Sequence, residues 1–303
     1  MFIVKYRKIF YTLSTILVAV SIFAMFFFGF NFSIDFTGGA ITEINYPAGR
    51  VELNTVKEKL NTLELGEYTI QNTGDAGVIL RTKDLTEDER LAIMNALTLD
   101  GTIQIEQKRF NSIGPVIGDE LKSKALFAIF FVSLAIVLFI AFAFRKVSDL
   151  GSEKISSWKY GIVAIFSLIH DIIIPTGIFV FLGSLFIDYQ IDVLFVTALL
   201  TILGFSVHDT IVVFDRVREN LKNSVKGENF ENIVGKSISQ TIGRSINTSL
   251  TTIITLTFLY FFGGETTKQF ALVLSIGIIF GTYSSIFLAA PLLVTWQKIS
   301  NKA

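Results

Sequence analysis

The sequence predicts an α-helical polytopic membrane protein with six transmembrane helices and one external α+β domain between spans one and two. Three observations carry this prediction. Of 303 residues, 51% are hydrophobic and 30 are Phe, and the apolar residues gather into long uncharged runs, the composition of a membrane protein. Basic residues cluster in alternate connections between those runs. A single polar stretch of ordinary domain size separates the first run from the second.

The first run, Ile9 to Phe30, carries no charge and follows Lys5, Arg7 and Lys8. At about 22 residues it is long enough to span a bilayer, and it lacks the short core and small-residue cleavage site of a signal peptide. Residues 1–30 are therefore read as a cytoplasmic N-terminus and an uncleaved first span.

Residues 31–124 hold most of the acidic side chains. Ala40–Tyr46 alternates as a strand does. Glu52–Leu65 spaces Leu53, Val56, Leu60 and Leu63 as a helix does. Tyr68–Gln71 and Val78–Arg81 read as strands around Asn72–Asp75. Thr86–Leu99 reads as a helix with Thr86 as N-cap and Glu89 three residues on, the capping-box pattern. Gly101 breaks it, and Thr102–Phe110 alternates again. The order β-α-β-β-α-β is that of a ferredoxin-like fold. The stretch has no His and no Cys, and no catalytic constellation.

Residues 125–303 supply spans two to six. Val116–Lys124 reads as an amphipathic lead-in to the second span, Ala125–Phe144, which ends at Arg145-Lys146. Tyr160–Leu185 is the third span, interrupted by His170-Asp171 and Pro175. Ile191–Phe214 is the fourth. A basic connection over about residues 216–244 follows, with Phe230, Ile233, Val234, Ile238 and Ile242 at helical spacing, the pattern of an amphipathic helix on a membrane surface. Ser245–Phe262 and Phe270–Trp296 are the fifth and sixth spans. Basic segments fall at Lys5–Lys8, Arg145–Lys159, Arg216–Arg244 and Lys298–Lys302. The positive-inside rule then places both termini in the cytoplasm and the 31–124 domain outside.

Composition excludes several chemistries. The chain has no cysteine and two histidines, which rules out disulfides, thiol catalysis and zinc–thiolate sites. The HExxH pattern is absent, and an HD-type metal phosphohydrolase needs more histidines. Net charge is zero, so bulk charge does not point to nucleic acid.

The candidate chemistry lies inside the spans. The stretch Leu199–Asn220 begins as a membrane-type helix and ends in a charged run, with Gly204, His208 and Asp209 in its apolar part. Ionisable residues there are costly and face a protein or water-filled interior; the alternative is that Asp209 merely touches headgroup water. His170-Asp171 in span three is either an ion-path element or a buried packing element. A paired-aspartate protease built on Asp171 and Asp209 is a further alternative. Arg244, Thr248, Thr251 and Thr255 lie along one face of span five, and Thr197, Thr201, Gly204 and His208 along a similar stripe of span four, with Asp209 beside it. Two such stripes suit a hydrated path for a small cation; the competing reading is that the threonines back-bond to their own helices. Gly277, Gly281 and Ser285 give span six a small-residue face for helix packing.

FTGG at Phe36–Gly39, preceded by Asp35, SIGPVIGDEL at Ser112–Leu121, the His-Asp of span three and GFSVHDTIVVFDRVREN from Gly204 together resemble the SecF family of bacterial protein-export membrane proteins, within the SecD/SecF family. More distantly the chain looks like a half-unit of the RND transporter superfamily. The resemblance implies a multi-pass protein of the bacterial inner membrane that partners SecD and the SecYEG channel and uses the ion gradient to promote translocation of unfolded polypeptide. It implies ion coupling with Asp209 as proton acceptor and Arg244 as its counter-charge, with H+ favoured over Na+, no cofactor, and His208 as a tuning neighbour where relatives often carry Asn. It also implies that SecD supplies a further coupling Asp, so that this chain holds half an ion path. The reading is a non-enzymatic, gradient-driven accessory subunit. A half-size RND-type small-molecule exporter and a non-transporting membrane scaffold are the alternatives.

Overall fold

The structure, a computed structural model, describes residues 2–145, 157–186, 189–224 and 228–300. Lys146, the linker residues 147–156, Lys226 and Lys302, on which part of the charge pattern rests, lie outside the described residues. The chain divides into two compact units, residues 1–31 with 126–303, and Phe32–Ala125.

The larger unit is helical. A short α1 (Phe2–Lys5) precedes α2 (Arg7–Phe28). Six helices are long and apolar enough to cross a membrane: α2, α6 (Pro115–Ala143), α7 (Ser157–Leu185), α8 (Val193–Lys222), α9 (Phe230–Phe262) and the sixth stretch, Thr267–Ser300. The sixth is composite, with α10 (Glu265–Tyr283), a π-helical segment (Ser284–Ala289) and α11 (Ala290–Ser300). Phe26, Phe27, Phe127, Phe130, Phe139 and Phe258 point outward and exposed. That outward apolar surface suits hydrocarbon rather than water.

Two boundaries differ from the sequence reading. The amphipathic lead-in and the second span form one helix, α6, with Pro115 at its first position, where a missing backbone N–H costs nothing. The stretch read as a surface helix is also not separate. It is the first part of α9, and Phe230, Ile233, Val234 and Ile238 pack into a buried cluster with Val4, Tyr160, Phe214 and Leu293. The apolar spacing marks the covered face of the helix, and what covers it is protein. Phe144 and Tyr160 stack there at 5.2 Å with Phe214 edge-on to both. Arg7 and Lys298 both pair with Glu231 at the start of α9, tying three helix ends together.

The smaller unit is a four-stranded antiparallel sheet with two helices. Its elements are β1 (Gly39–Asn45), α4 (Leu53–Asn61), β2 (Thr69–Thr73), β3 (Gly77–Thr82), α5 (Glu87–Leu97) and β4 (Glu106–Ile113), after the single-turn α3 (Ile34–Thr37). The strand order is β2-β3-β1-β4. Ile44, Tyr46, Val56, Leu60, Leu80 and Ile93 form its core. Tyr46 donates its hydroxyl to the Leu97 carbonyl at 3.0 Å, and burial pushes its phenol up to about 12. The last strand starts later than its alternation indicated. Leu99, Asp100 and Gly101 all take positive φ, so the chain coils through a left-handed turn before it extends.

The Asp35–Gly39 motif is a tightly packed turn. Ser33 caps α3 by accepting from Asp35 N at 3.1 Å, and Phe36 is buried. Gly38 and Gly39 have φ of 71° and 118°. A Cβ on Gly38 would lie 2.8 Å from Pro115 Cα, and one on Gly39 would lie 2.6 Å from the Thr82 carbonyl oxygen. Only glycine satisfies both the dihedral and the space.

The capping box of α5 is complete. Glu89 N donates to the Thr86 hydroxyl at 3.3 Å and Thr86 N donates to the Glu89 carboxylate at 2.9 Å. The Thr86 backbone N–H, then its hydroxyl, then Lys83 hold the Glu89 carboxyl below its ordinary value of 4.5. A folded-state value below the unfolded one adds stability above the unfolded value and loses it as pH falls through the folded value. Residues 32–125, expressed alone, should melt cooperatively. Thr86→Ala should lower that stability by about 1 kcal/mol and the melting temperature by about 4–8 °C at neutral pH. The difference between the two proteins should narrow in acid, measured by circular dichroism melts at both pH values. A random-coil spectrum for the unsubstituted fragment would contradict the expectation of an independent domain.

Candidate ion-coupling site

The site is built where α7, α8, α9 and α10 with its π-helical continuation meet. Asp192 caps α8 by accepting from Phe195 N at 2.7 Å. The buried residues of α8 include Phe195, Leu199, Ile202, Ser206, Asp209, Thr210 and Val213. They recur at helical spacing, so the helix turns Asp209 inward with its apolar face. The predicted stripe of Thr197, Thr201, Gly204 and His208 lies on the other side and is exposed.

Close packing makes the contacts possible. A Cβ on Gly277 would lie 2.1 Å from Ile202 Cδ1, and one on Gly281 would lie 3.0 Å from Ser206 Cβ. These two glycines let α10 approach α8 at backbone distance, the use that small residues have between membrane helices. Ser285, one turn further, shares a hydrogen bond with Thr210 at 2.8 Å and reaches the Ser206 carbonyl.

Asp209 is 2% exposed. Its carboxylate accepts from the Thr282 hydroxyl at 3.0 Å, and Thr282 in turn shares a hydrogen bond with Ser249 of α9. The buried Ser245 hydroxyl also interacts with Asp209, without meeting hydrogen-bond geometry, and His208 interacts electrostatically. Among the described residues no ion pair joins Asp209 to Arg244. Arg244 is exposed one position along the helix from Ser245. The α9 hydroxyls that turn toward Asp209 are thus Ser245 and Ser249, also four residues apart.

The Arg244 stripe occupies the neighbouring face. Thr251 and Thr255 are exposed and Thr248 half-buried. Their hydroxyls back-bond along their own helix, Thr248 to the Arg244 carbonyl at 3.0 Å, Thr251 to Thr248 at 2.8 Å and Thr255 to Thr251 at 3.1 Å. Thr201 of α8 does the same to Thr197. Since α8 packs on α9, the two stripes leave exposed polar residues on neighbouring membrane-length helices.

A second carboxylate is buried nearby. Asp171 of α7 is 0% exposed and accepts from the hydroxyls of Ser206 and Ser284, the latter at 2.7 Å. Its other oxygen meets His170 Nδ1 at 2.8 Å. Ser284, Ser206, Ser245, Ser249 and Thr282 were not singled out from the sequence. The one signal was the GTYSS run of the sixth span, beside the small-residue face. Among the described residues there is no cluster of three or more His, Cys, Asp or Glu that could hold a metal.

Six membrane-length helices with buried carboxylates on the third and fourth, and a small α+β unit after the first, define a multi-pass membrane protein. Residues 93–299 match the model of the protein export membrane protein SecD/SecF C-terminal family, and residues 23–46 match the SecD/SecF GG motif. The chain is 42% identical to the protein translocase subunit SecF of Thermobaculum terrenum, over 98% of this chain and 94% of that protein. It is 35% identical to that of Anaerolinea thermophila, over 96% and 92%. The crystal structure of SecDF, a translocon-associated membrane protein from Thermus thermophilus, superposes with a TM-score of 0.81 at 30% identity, covering 97% of this chain and 38% of that one. The chain belongs to the SecD/SecF family of protein-export membrane proteins.

Proposed function

We propose that the chain is a non-enzymatic accessory subunit of the Sec export machinery, which with a SecD partner uses the transmembrane proton gradient to promote polypeptide movement through SecYEG. The observation that carries the gradient reading is the Asp209 carboxylate, mid-helix and 2% exposed, whose hydrogen bonding comes from a neutral hydroxyl. A charge so placed is costly, so protonation changes its energetics strongly. The stripe of Arg244, Thr248, Thr251, Thr255, Thr201, Gly204 and His208 is the face toward SecD, which supplies a carboxylate for Arg244. Relatives named SecF and the SecDF superposition support this pairing. The chain lies in the bacterial inner membrane with both termini cytoplasmic. The 32–125 unit is ferredoxin-like and external.

Affinity capture of the tagged chain from mildly solubilised membranes tests the partnership. SecD and SecYEG should co-purify. An outer-membrane channel or periplasmic adaptor in their place would support the small-molecule exporter. Topology is tested separately: a reporter active only outside the cell should be active when fused within residues 60–100 and silent when fused near Lys226. Activity at Lys226 would break the six-span reading.

A further inference from the structure

Asp171 is the most deeply buried carboxylate among the described residues of the helical unit, and the two elements that bond to it, α8 and the sixth span, also carry and hold Asp209. On α8, Ser206 donates to Asp171 and lies three residues from Asp209, on the same face. On the sixth span, Ser284 donates to Asp171 and Thr282, two residues earlier, donates to Asp209. Residue 284 opens the π-helical segment. There Ser284 reaches α7 while the next residue, Ser285, reaches α8. Single π-helical turns within α-helices are frequent at functional sites.

His170 completes the arrangement. It is 3% exposed, its Nδ1 faces Asp171, and its Nε2 is buried without a hydrogen-bond partner among the described residues. With Asp171 ionised and accepting from both serines, Nδ1 carries the hydrogen and Nε2 is a bare acceptor. A proton bound there makes a neutral imidazolium–carboxylate pair; without it the site holds a net buried charge. The ring stacks on Tyr283 at 6.0 Å and faces Phe280. Tyr283 is tied to α2 through Ser14 and the Phe10 carbonyl. His170 also lines an apolar cleft of about 410 Å³ with Tyr11, Val163, Ile169, Leu288 and Trp296. Among the described residues, the titratable groups that face the pair are Tyr283 from the sixth span and, across the cleft, Tyr11 from α2.

We propose that His170 and Asp171 form a second proton-binding site, loaded at His170 Nε2 and coupled to Asp209 through α8 and the sixth span, whose Ser206 and Ser284 hold Asp171 and whose Thr282 holds Asp209. The proposal rests on the gradient reading for its purpose but not for its test. Loading forms an N–H bond at Nε2 with a proton taken from solvent, and release returns that proton to solvent. Ser284, through its bond to Asp171, is a positioning residue.

The test is nitrogen NMR of the lipid-reconstituted complex with SecD, with histidine labelled in this chain alone. The chain has two histidines, and His170→Gln identifies the His170 signals. Nε2 of His170 should pass from bare to protonated as pH is lowered. Asp209→Asn and Ser284→Ala should each move that midpoint by about 0.5 pH unit or more, about threefold in proton affinity. An Nε2 that stays in one state over the whole range in which the complex is folded overturns the site. A midpoint unmoved in both variants overturns the coupling. Ser284→Ala is a small change, so the test does not hang on a variant that fails to fold. The gradient reading fails on a different measurement, retained ionophore-sensitive export in Asp209→Asn, so the two failures are distinguishable.

Discussion

Cells carrying Asp209→Asn should export a precursor as slowly as cells lacking the chain, while the complex accumulates at its normal level. Asn has nearly the shape of Asp, and its amide oxygen can still accept from Thr282, which lies 3.0 Å from the present carboxylate oxygen. Ser249 keeps its bond to Thr282. A purely structural Asp209 would therefore tolerate Asn well. What Asn cannot do is bind and release a proton. Moving one proton through 100 mV supplies about 2.3 kcal/mol, and only a titrating group can tie that energy to a helix movement. Asp209→Glu should retain part of the activity, because it keeps the carboxyl in a site with close neighbours. Arg244→Met should match Asp209→Asn in export, for a different reason. Arg244 is exposed on the face assigned to SecD, so its loss removes the countercharge for the partner's carboxylate. Pulse-chase export and immunoblotting of the complex measure both effects.

Gly277→Val should give the largest loss of folded protein. Even a Cβ at this position would fall 2.1 Å from Ile202 Cδ1 and 2.2 Å from Cγ1. Overpacking of this kind typically costs about 1–3 kcal/mol, and a β-branched side chain on a fixed helix contact has little room to relax. The contact matters beyond stability, since it holds Thr282 and Ser284 at the two carboxylates. Removing the obstruction should help: Ile202→Ala in the same chain should restore part of the accumulation, a coupling that distant sites do not show. Gly204 is the contrast. Nothing lies within 4 Å of a Cβ there, so Gly204→Ala should leave the chain's own accumulation unchanged. Protease resistance and yield after detergent extraction measure these differences.

These expectations combine features that the sequence displays with others that it hides. Span existence, the small-residue face of Gly277 and Gly281, and the position of Asp209 were legible, because charge exclusion from hydrocarbon and helical period leave marks in one dimension. The α5 capping box was legible for the same reason: Thr86 and Glu89 interact locally. The partners of Asp209 were not. Arg244 and Ser245 are adjacent in sequence, and a rotation of about 100° decides which one meets the carboxylate. Charge complementarity favours Arg244 as the partner, yet the structure turns Ser245 and Ser249 inward. Serine and threonine also carry little signal of their own, since Thr201, Thr248 and Thr255 satisfy themselves on their own helices. The π-helical segment at Ser284–Ala289 has no sequence mark beyond the small residues before it. The stretch at Phe230–Ile238 showed the right period but not what covered it, because lipid and protein cores select the same residues.

The most direct test of gradient coupling is export of a reporter precursor into inverted vesicles, with and without an ionophore that collapses the proton gradient. Vesicles with the unaltered chain should lose a large part of their export on ionophore addition. Asp209→Asn vesicles should begin at that lower level and not respond further. If Asp209→Asn vesicles export at the unaltered rate and respond to the ionophore to the same extent, Asp209 is a packing residue and the coupling account is wrong.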